Sequence, residues 1–121
     1  MSAMNARDRD QIQTLDSFAT RLHHVRGLVE KLAVERGDTD GIAVQCRRAF
    51  NQLKLQLTGA GLDTMANVCS QLELTSRRGM PQASKVRILR EGVGTLTRQI
   101  DVEKRQIMTA AKRAAEAERH D

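Results

Sequence analysis

The sequence predicts an all-α fold, an antiparallel four-helix bundle with an extended C-terminal helix. Three observations carry that expectation. Apolar residues recur at spacings of three and four along four separate segments, the pattern of one buried helix face. Leu, Ile, Val, Met and Ala supply nearly all the apolar content, while Trp and Tyr are absent and Phe18 and Phe50 are the only aromatics, a composition of helix formers. Glycines and capping side chains fall between the segments, and no stretch alternates with the period of a strand.

At 121 residues, 40% hydrophobic and 29% charged, the chain has room for one domain around one modest core. It divides into a flexible N-terminus (1–10), a helical bundle (11–107) and a polar helical tail (108–121). The first helix runs from Gln11 to Ala33 on the stripe Ile12, Leu15, Phe18, Ala19, Leu22, Val25, Val29 and Leu32. It ends before Gly37, and a second helix starts near Asp40, because Gly37-Asp38-Thr39-Asp40 offers a glycine stop followed by N-capping side chains.

The second helix buries Ile42, Cys46, Ala49, Phe50, Leu53 and Leu57. Leu55 breaks this pattern, since at about 100° per residue it lies roughly 200° around the helix from Leu53. Thr58-Gly59-Ala60-Gly61 breaks the helix. Asp63 or Thr64 then caps a third helix carried by Leu62, Met65, Val68, Cys69 and Leu72, which fades through Ser76, Arg77 and Arg78 to Gly79. Pro81 marks the start of the fourth, with the stripe Val86, Leu89, Val93, Leu96, Ile100 and Ile107. Gly92 and Gly94 weaken this helix by about 1 kcal/mol each relative to Ala unless a neighbour packs closely on them, and close packing is the expected reason for both. Met108 to Arg119 has high helix propensity but little to bury, so the tail frays unless a partner uses it. Short connections join the segments as antiparallel neighbours.

The N-terminus has no apolar signal region and no run of about 18 apolar residues occurs, so the expected location is the cytoplasm, without a membrane partner. Net charge is +5, yet the basic residues are interleaved with Asp and Glu and few aromatics are present to stack on bases, which argues against nucleic acid. Cys46 and Cys69 sit in apolar helical patterns and read as reduced core thiols. No Cys, Asp or Glu stands at metal-ligand spacing from His23, His24 or His120, and Gly59-Ala60-Gly61 lacks the Gly-Lys-Ser/Thr of a phosphate loop. No metal and no cofactor is expected. Ser17 and Ser70 have no base beside them, so no hydrolase arrangement emerges. His23 reads as half-buried beside Ala19, and His24 as solvated.

The run from Phe50 to Leu62, Phe-Asn-Gln-Leu-Lys-Leu-Gln-Leu-Thr-Gly-Ala-Gly-Leu, resembles the signature of the histidine-phosphotransfer (HPt) domain family, His-x-Leu-Lys-Gly-Ser-x-x-x-x-Gly. Asn51 takes the place of the histidine, Leu53 and Lys54 match the Leu-Lys pair, and Gly61 matches the later glycine. Met65 and Val68 match apolar core positions, and Leu72-Glu73 matches the family's Leu-Glu, with no gap. The likeness covers roughly Leu15 to Ile100 and includes Gly37-Asp38, which stands a few residues farther from the signature than the family's Gly-Asp.

The resemblance implies that a surface imidazole would attack an aspartyl phosphate on a receiver domain, that the lysine would help hold phosphate charge, and that a small glycine would let the receiver approach. Two of these three parts are changed. The amide nitrogen of Asn51 has its lone pair delocalised into the carbonyl and is a donor, not a nucleophile, and Leu55 stands at the position of the glycine, one turn above Asn51. Phosphotransfer at this site is therefore expected to be absent, and the chain is not expected to be an enzyme.

The resulting expectation is a degenerate HPt-like signalling protein that binds a response-regulator receiver domain or a histidine kinase and modulates a two-component phosphorelay. Its partner-binding surface would be Leu55 rimmed by Arg47, Arg48, Asn51, Lys54 and Thr58. The alternative is a helical interaction or dimerisation module unrelated to phosphorelay, using the fourth helix and its tail. Phosphoryl transfer through His23 or His24 ranks below both, since neither has a lysine one turn away on its face. Monomer and homodimer both remain open.

Overall fold

The computed structural model describes residues 4–37, 40–77 and 79–119. The readings that fall on residues 1–3, Asp38, Thr39, Arg78, His120 and Asp121 lie outside it. Four helices follow one another: α1 (Ala6–Val34), α2 (Asp40–Gly59), α3 (Asp63–Arg77) and α4 (Gln82–Arg119). Each packs closely against its neighbours around a square, α1 on α2 and α4, α3 on α2 and α4, while the backbones of the diagonal pairs lie farther apart. This is the expected all-α four-helix bundle.

The core seam of α1 is Leu15, Phe18, Leu22, Val25, Val29 and Leu32, stepping alternately by three and four. This seam is narrower than the predicted stripe, and Ala19 and His23, one position to its side, are exposed. From α2 come Ile42, Cys46, Phe50, Leu53 and Leu57, and from α4 Val86, Leu89, Val93, Leu96 and Ile100, with Ile107 partly buried at the end. To the expected residues of α3 the core adds Ala66 and three polar side chains, Glu73, Thr75 and Ser76. The two hydroxyls need no distant partner, because Thr75 Oγ1 donates to the Gln71 carbonyl at 3.1 Å and Ser76 Oγ to that of Leu72 at 2.9 Å.

The helix ends show why the boundaries fall where they do. α1 begins at Ala6, not Gln11, because Asn5 and Asp8 form a capping box: the Asp8 amide donates to Asn5 Oδ1 at 2.8 Å and the Asn5 amide to Asp8 Oδ2 at 3.4 Å. Residues 6–10, expected in a flexible N-terminus, are thus helical. At the end of α2 the Leu62 amide donates to the Leu57 carbonyl at 2.9 Å and the Gly61 amide to that of Thr58 at 3.0 Å. This is a Schellman close, and Gly61, at φ +78°, occupies the left-handed position that favours glycine.

The start of α4 closes two other helices. The Gln82 side-chain amide donates to the Leu32 and Glu35 carbonyls at the end of α1, and Lys85 Nζ donates to the Ser76 carbonyl at 3.3 Å near the end of α3. These are carbonyls that a helix cannot satisfy by itself. On the outer side of the α1–α4 pair, Arg90 forms a two-pronged ion pair with Glu30 at 2.6 and 2.7 Å, and Lys104 meets Asp16 at 2.5 Å. The guanidinium of Arg90 holds the Glu30 carboxyl below its ordinary range.

The two glycines of α4 part company. A Cβ on Gly92 would lie 2.6 Å from Leu72 Cδ1 and 2.9 Å from its Cγ, so α3 and α4 approach closely there and any larger residue would force Leu72 to shift. At Gly94 a Cβ would meet nothing nearer than the Arg98 guanidinium at 3.5 Å. The expectation of close packing holds for the first and is corrected for the second, which faces no neighbouring helix.

Candidate functional site

Burying Cys46, Phe50, Leu53 and Leu57 against the bundle turns the opposite side of α2 outward. The 4–3–4 spacing of residues 46, 50, 53 and 57 fixes the rotation of the helix, and with it the direction of every other side chain. Arg47, Asn51, Lys54 and Thr58 follow one another at steps of four, three and four along one flank. Arg48 and Leu55, seven apart, lie on the outermost row. All six predicted site residues therefore share one outward strip about three turns long.

Their exposures differ in a way that sorts them. Leu55 is 61% exposed, far out of line with the 0–4% of Cys46, Phe50, Leu53 and Leu57. Arg48 and Thr58 are exposed, whereas Arg47, Asn51 and Lys54 are partly covered. The Thr58 hydroxyl turns back on its own helix and donates to the Lys54 carbonyl at 2.9 Å. The Asn51 amide has no hydrogen-bond partner among the described residues, so its donor and acceptor are open to whatever lies against this face.

Lys54 is not a free cation. Its Nζ lies 3.6 Å from Glu73 Oε2 on α3, and the other oxygen of that carboxylate accepts from Arg77 Nη2 at 2.6 Å. Glu73 is 7% exposed, so the carboxylate is a buried anion held between two cations, the arrangement that makes such burial tolerable. One consequence is that Lys54 points toward α3 instead of straight out. Another is that Arg77 joins the rim from the neighbouring helix. Sequence reasoning did not include Arg77, though its i,i+4 spacing from Glu73 is a legible pairing signal.

Chemically, this strip offers an apolar knob, an open amide and cations, and no imidazole. His23 and His24 stand on α1, and both are exposed. The half-buried position expected for His23 is corrected: the α1 seam passes through Leu22 and leaves His23 outside it. Both cysteines are free and fully enclosed. Burial pushes the Cys46 thiol up despite the opposing pull of Lys85, and pushes that of Cys69 up to about 12, so neither is a reactive thiolate near neutral pH. Among the described residues no group of three His, Cys, Asp or Glu side chains is placed to hold a metal ion. No described helix is long and apolar enough to cross a membrane.

Comparison of the chain with protein-family models, with curated proteins and with solved structures returned no match.

Proposed function

We propose that this chain is a non-catalytic, HPt-like cytoplasmic signalling protein that binds a response-regulator receiver domain or a histidine kinase and modulates a two-component phosphorelay without carrying the phosphoryl group. The observation that carries this reading is the outward strip of α2. At the position where the resembled family places its phosphoryl-accepting imidazole stands the open amide of Asn51. One turn on, the protruding Leu55 replaces the family's glycine.

An exposed apolar residue inside a polar, cationic rim is the composition of a protein-binding anchor. Arg47, Arg48 and Lys54 share its strip, Arg77 adds a fourth cation from α3 through Glu73, and that one carboxylate is already neutralised by Lys54 and Arg77. The face is therefore net basic and suits an acidic partner surface, which electrostatic attraction would steer into place. Without a nucleophile at Asn51 such a complex forms and dissociates with no covalent step, so the protein would compete for or hold its partner.

The test pairs binding with phosphotransfer, using receiver and kinase domains from the same cell and comparing wild type with Asn51→His, Leu55→Gly and Lys54→Ala. The expected result is specific binding with no protein-bound phosphate in the wild type, weakened about tenfold by Leu55→Gly, a loss of about 1.4 kcal/mol. Failure to bind any receiver or kinase domain would sink the reading, and acid-labile phosphate on His23 or His24 would replace it with a working phosphotransfer protein.

A further inference from the structure

α4 carries nine Lys and Arg side chains against five Asp and Glu, so a net +4 of the chain's +5 lies on one helix. Residues 108–119, expected to fray, continue that helix to Arg119, and Ala111 is only 5% exposed. Its buried seam is Val86, Leu89, Val93, Leu96 and Ile100. The opposite side presents Gly94, Arg98, Val102, Arg105, Thr109 and Arg113. At about 100° per residue these six stay within about 100° of arc, centred opposite the seam, over a rise of about 28 Å. α4 stands diagonally across the square from α2, so this face and the α2 strip look in opposite directions.

Three features of this face go unused within the chain. Arg105, Lys112 and Arg113 are exposed and form no ion pair or hydrogen bond among the described residues, and Arg98 reaches only the Thr95 hydroxyl of its own helix, at 3.3 Å. Asp101 and Glu116 flank the row without pairing to it, whereas Arg90 and Lys104, on the side toward α1, are both taken up by carboxylates. Val102 is 45% exposed, and with Arg105, Gln106, Thr109, Ala110 and Arg113 it forms a shallow groove of about 370 Å³ made by α4 alone. Gly94 weakens the helix by about 1 kcal/mol relative to Ala, yet a Cβ there would touch no other helix of the chain. A glycine that nothing inside the molecule requires, at the head of an apolar and cationic row, leaves room for a second backbone to come close.

We infer that this face of α4 docks an acidic amphipathic helix of another protein, which crosses closely at Gly94, sets an apolar residue against Val102 and places carboxylates opposite Arg98, Arg105 and Arg113. The row advances in steps of three and four, the spacing of a helix–helix seam, and its unpaired cations call for a partner of the opposite sign. A second copy of this chain does not fit, since each copy carries +5 and would set cations against cations along the row. A surface of nucleic-acid or lipid phosphates would match the charge but would leave Val102 and Gly94 without a role. The α2 strip stays free on the far side of the bundle, so this interaction is additional to the one proposed there and does not depend on it.

The probe is a fluorescent synthetic peptide of about 21 residues, three heptads with leucine along the seam and glutamate beside it, titrated with the full chain and read by anisotropy. A composition-matched scramble, duplex DNA and phosphatidylcholine–phosphatidylglycerol vesicles are titrated in parallel. The peptide is expected to bind with a dissociation constant on the order of 10 µM, and the scramble at least about tenfold more weakly. Arg105→Glu combined with Arg113→Glu should weaken the peptide about tenfold, and Val102→Ser about threefold. Gly94→Leu should weaken it about tenfold while the far-UV helical signal is kept and resistance to urea does not fall, which separates a blocked approach from a damaged fold. No binding of the peptide, equal binding of the scramble, or full affinity in Gly94→Leu overturns the proposal. Tighter binding of DNA or vesicles, lost in the same arginine variant, overturns it in favour of a phosphate-binding face.

Discussion

The two faces of α2 are made by the same twenty residues under opposite rules. On the inner face Cys46, Phe50, Leu53 and Leu57 are at most 4% exposed, and on the outer face Leu55 is 61% exposed. The inner leucines contribute to stability and are interchangeable with any apolar residue of similar volume. The outer leucine lies outside the core and leaves most of its side chain open to solvent. Apolar character alone does not distinguish these roles, and direction on the helix does.

The comparison can be broken first at its extremes. Phe50→Ala empties the centre of the core and should cost about 3–5 kcal/mol, read as a shift in the denaturant midpoint. If Phe50→Ala were tolerated, the inner face would not be the core. A second contrast lies in α4, where Gly92→Ala should destabilise by about 1–3 kcal/mol because its methyl meets Leu72. Gly94→Ala, which meets only the Arg98 side chain at 3.5 Å, should stabilise by about 0.5–1 kcal/mol. Opposite signs from one substitution two residues apart would sharpen the distinction between a packed and an unpartnered helix face.

Next in size is the pH dependence of the enclosed thiols. Burial raises Cys69 to about 12 from an ordinary value of 9.0, so the folded state keeps the neutral thiol while the unfolded chain ionises. Stability from this source is complete below pH 9.0. It is lost as pH rises toward about 12, at about 1.4 kcal/mol per pH unit. Urea titrations at pH 8, 9 and 10 should show an unchanged first step and a fall in the second. The smallest effect is expected at Leu55→Ala, within about 0.5 kcal/mol of wild type. A larger loss of stability there would mean that the outer face is structural after all.

What the sequence made legible follows from the range of each interaction. Core positions such as Leu22, Phe50 and Leu89 announce themselves through local periodicity, and the outward direction of Leu55 follows from its angle to Leu53. The capping box at Asn5 and Asp8 is also local, but residues 5–8 carry no apolar stripe that would mark a helix start there. Glu73 was not legible as a buried anion, because its second cation, Lys54, arrives from another helix. Ser76 reads as the beginning of a fading helix end, yet its hydroxyl, like that of Thr75, bonds its own helix backbone and so enters the core without help. Gly61, prominent in the family resemblance, has a cap role that any helix ending in this geometry would require.

The positions of the long-range ties also imply an order of events. α2 and α3 are joined by the short Schellman turn around Gly61, so their pairing needs almost no chain to be gathered in. The ties of α1 to α4 span 60 residues for Glu30 with Arg90 and 88 for Asp16 with Lys104, a larger loop-closure cost. The α2–α3 hairpin should therefore assemble early and α1 should wait. During synthesis the carbonyls at the end of α1 stay open to water until Gln82 emerges, so the bundle closes only when its last helix has begun.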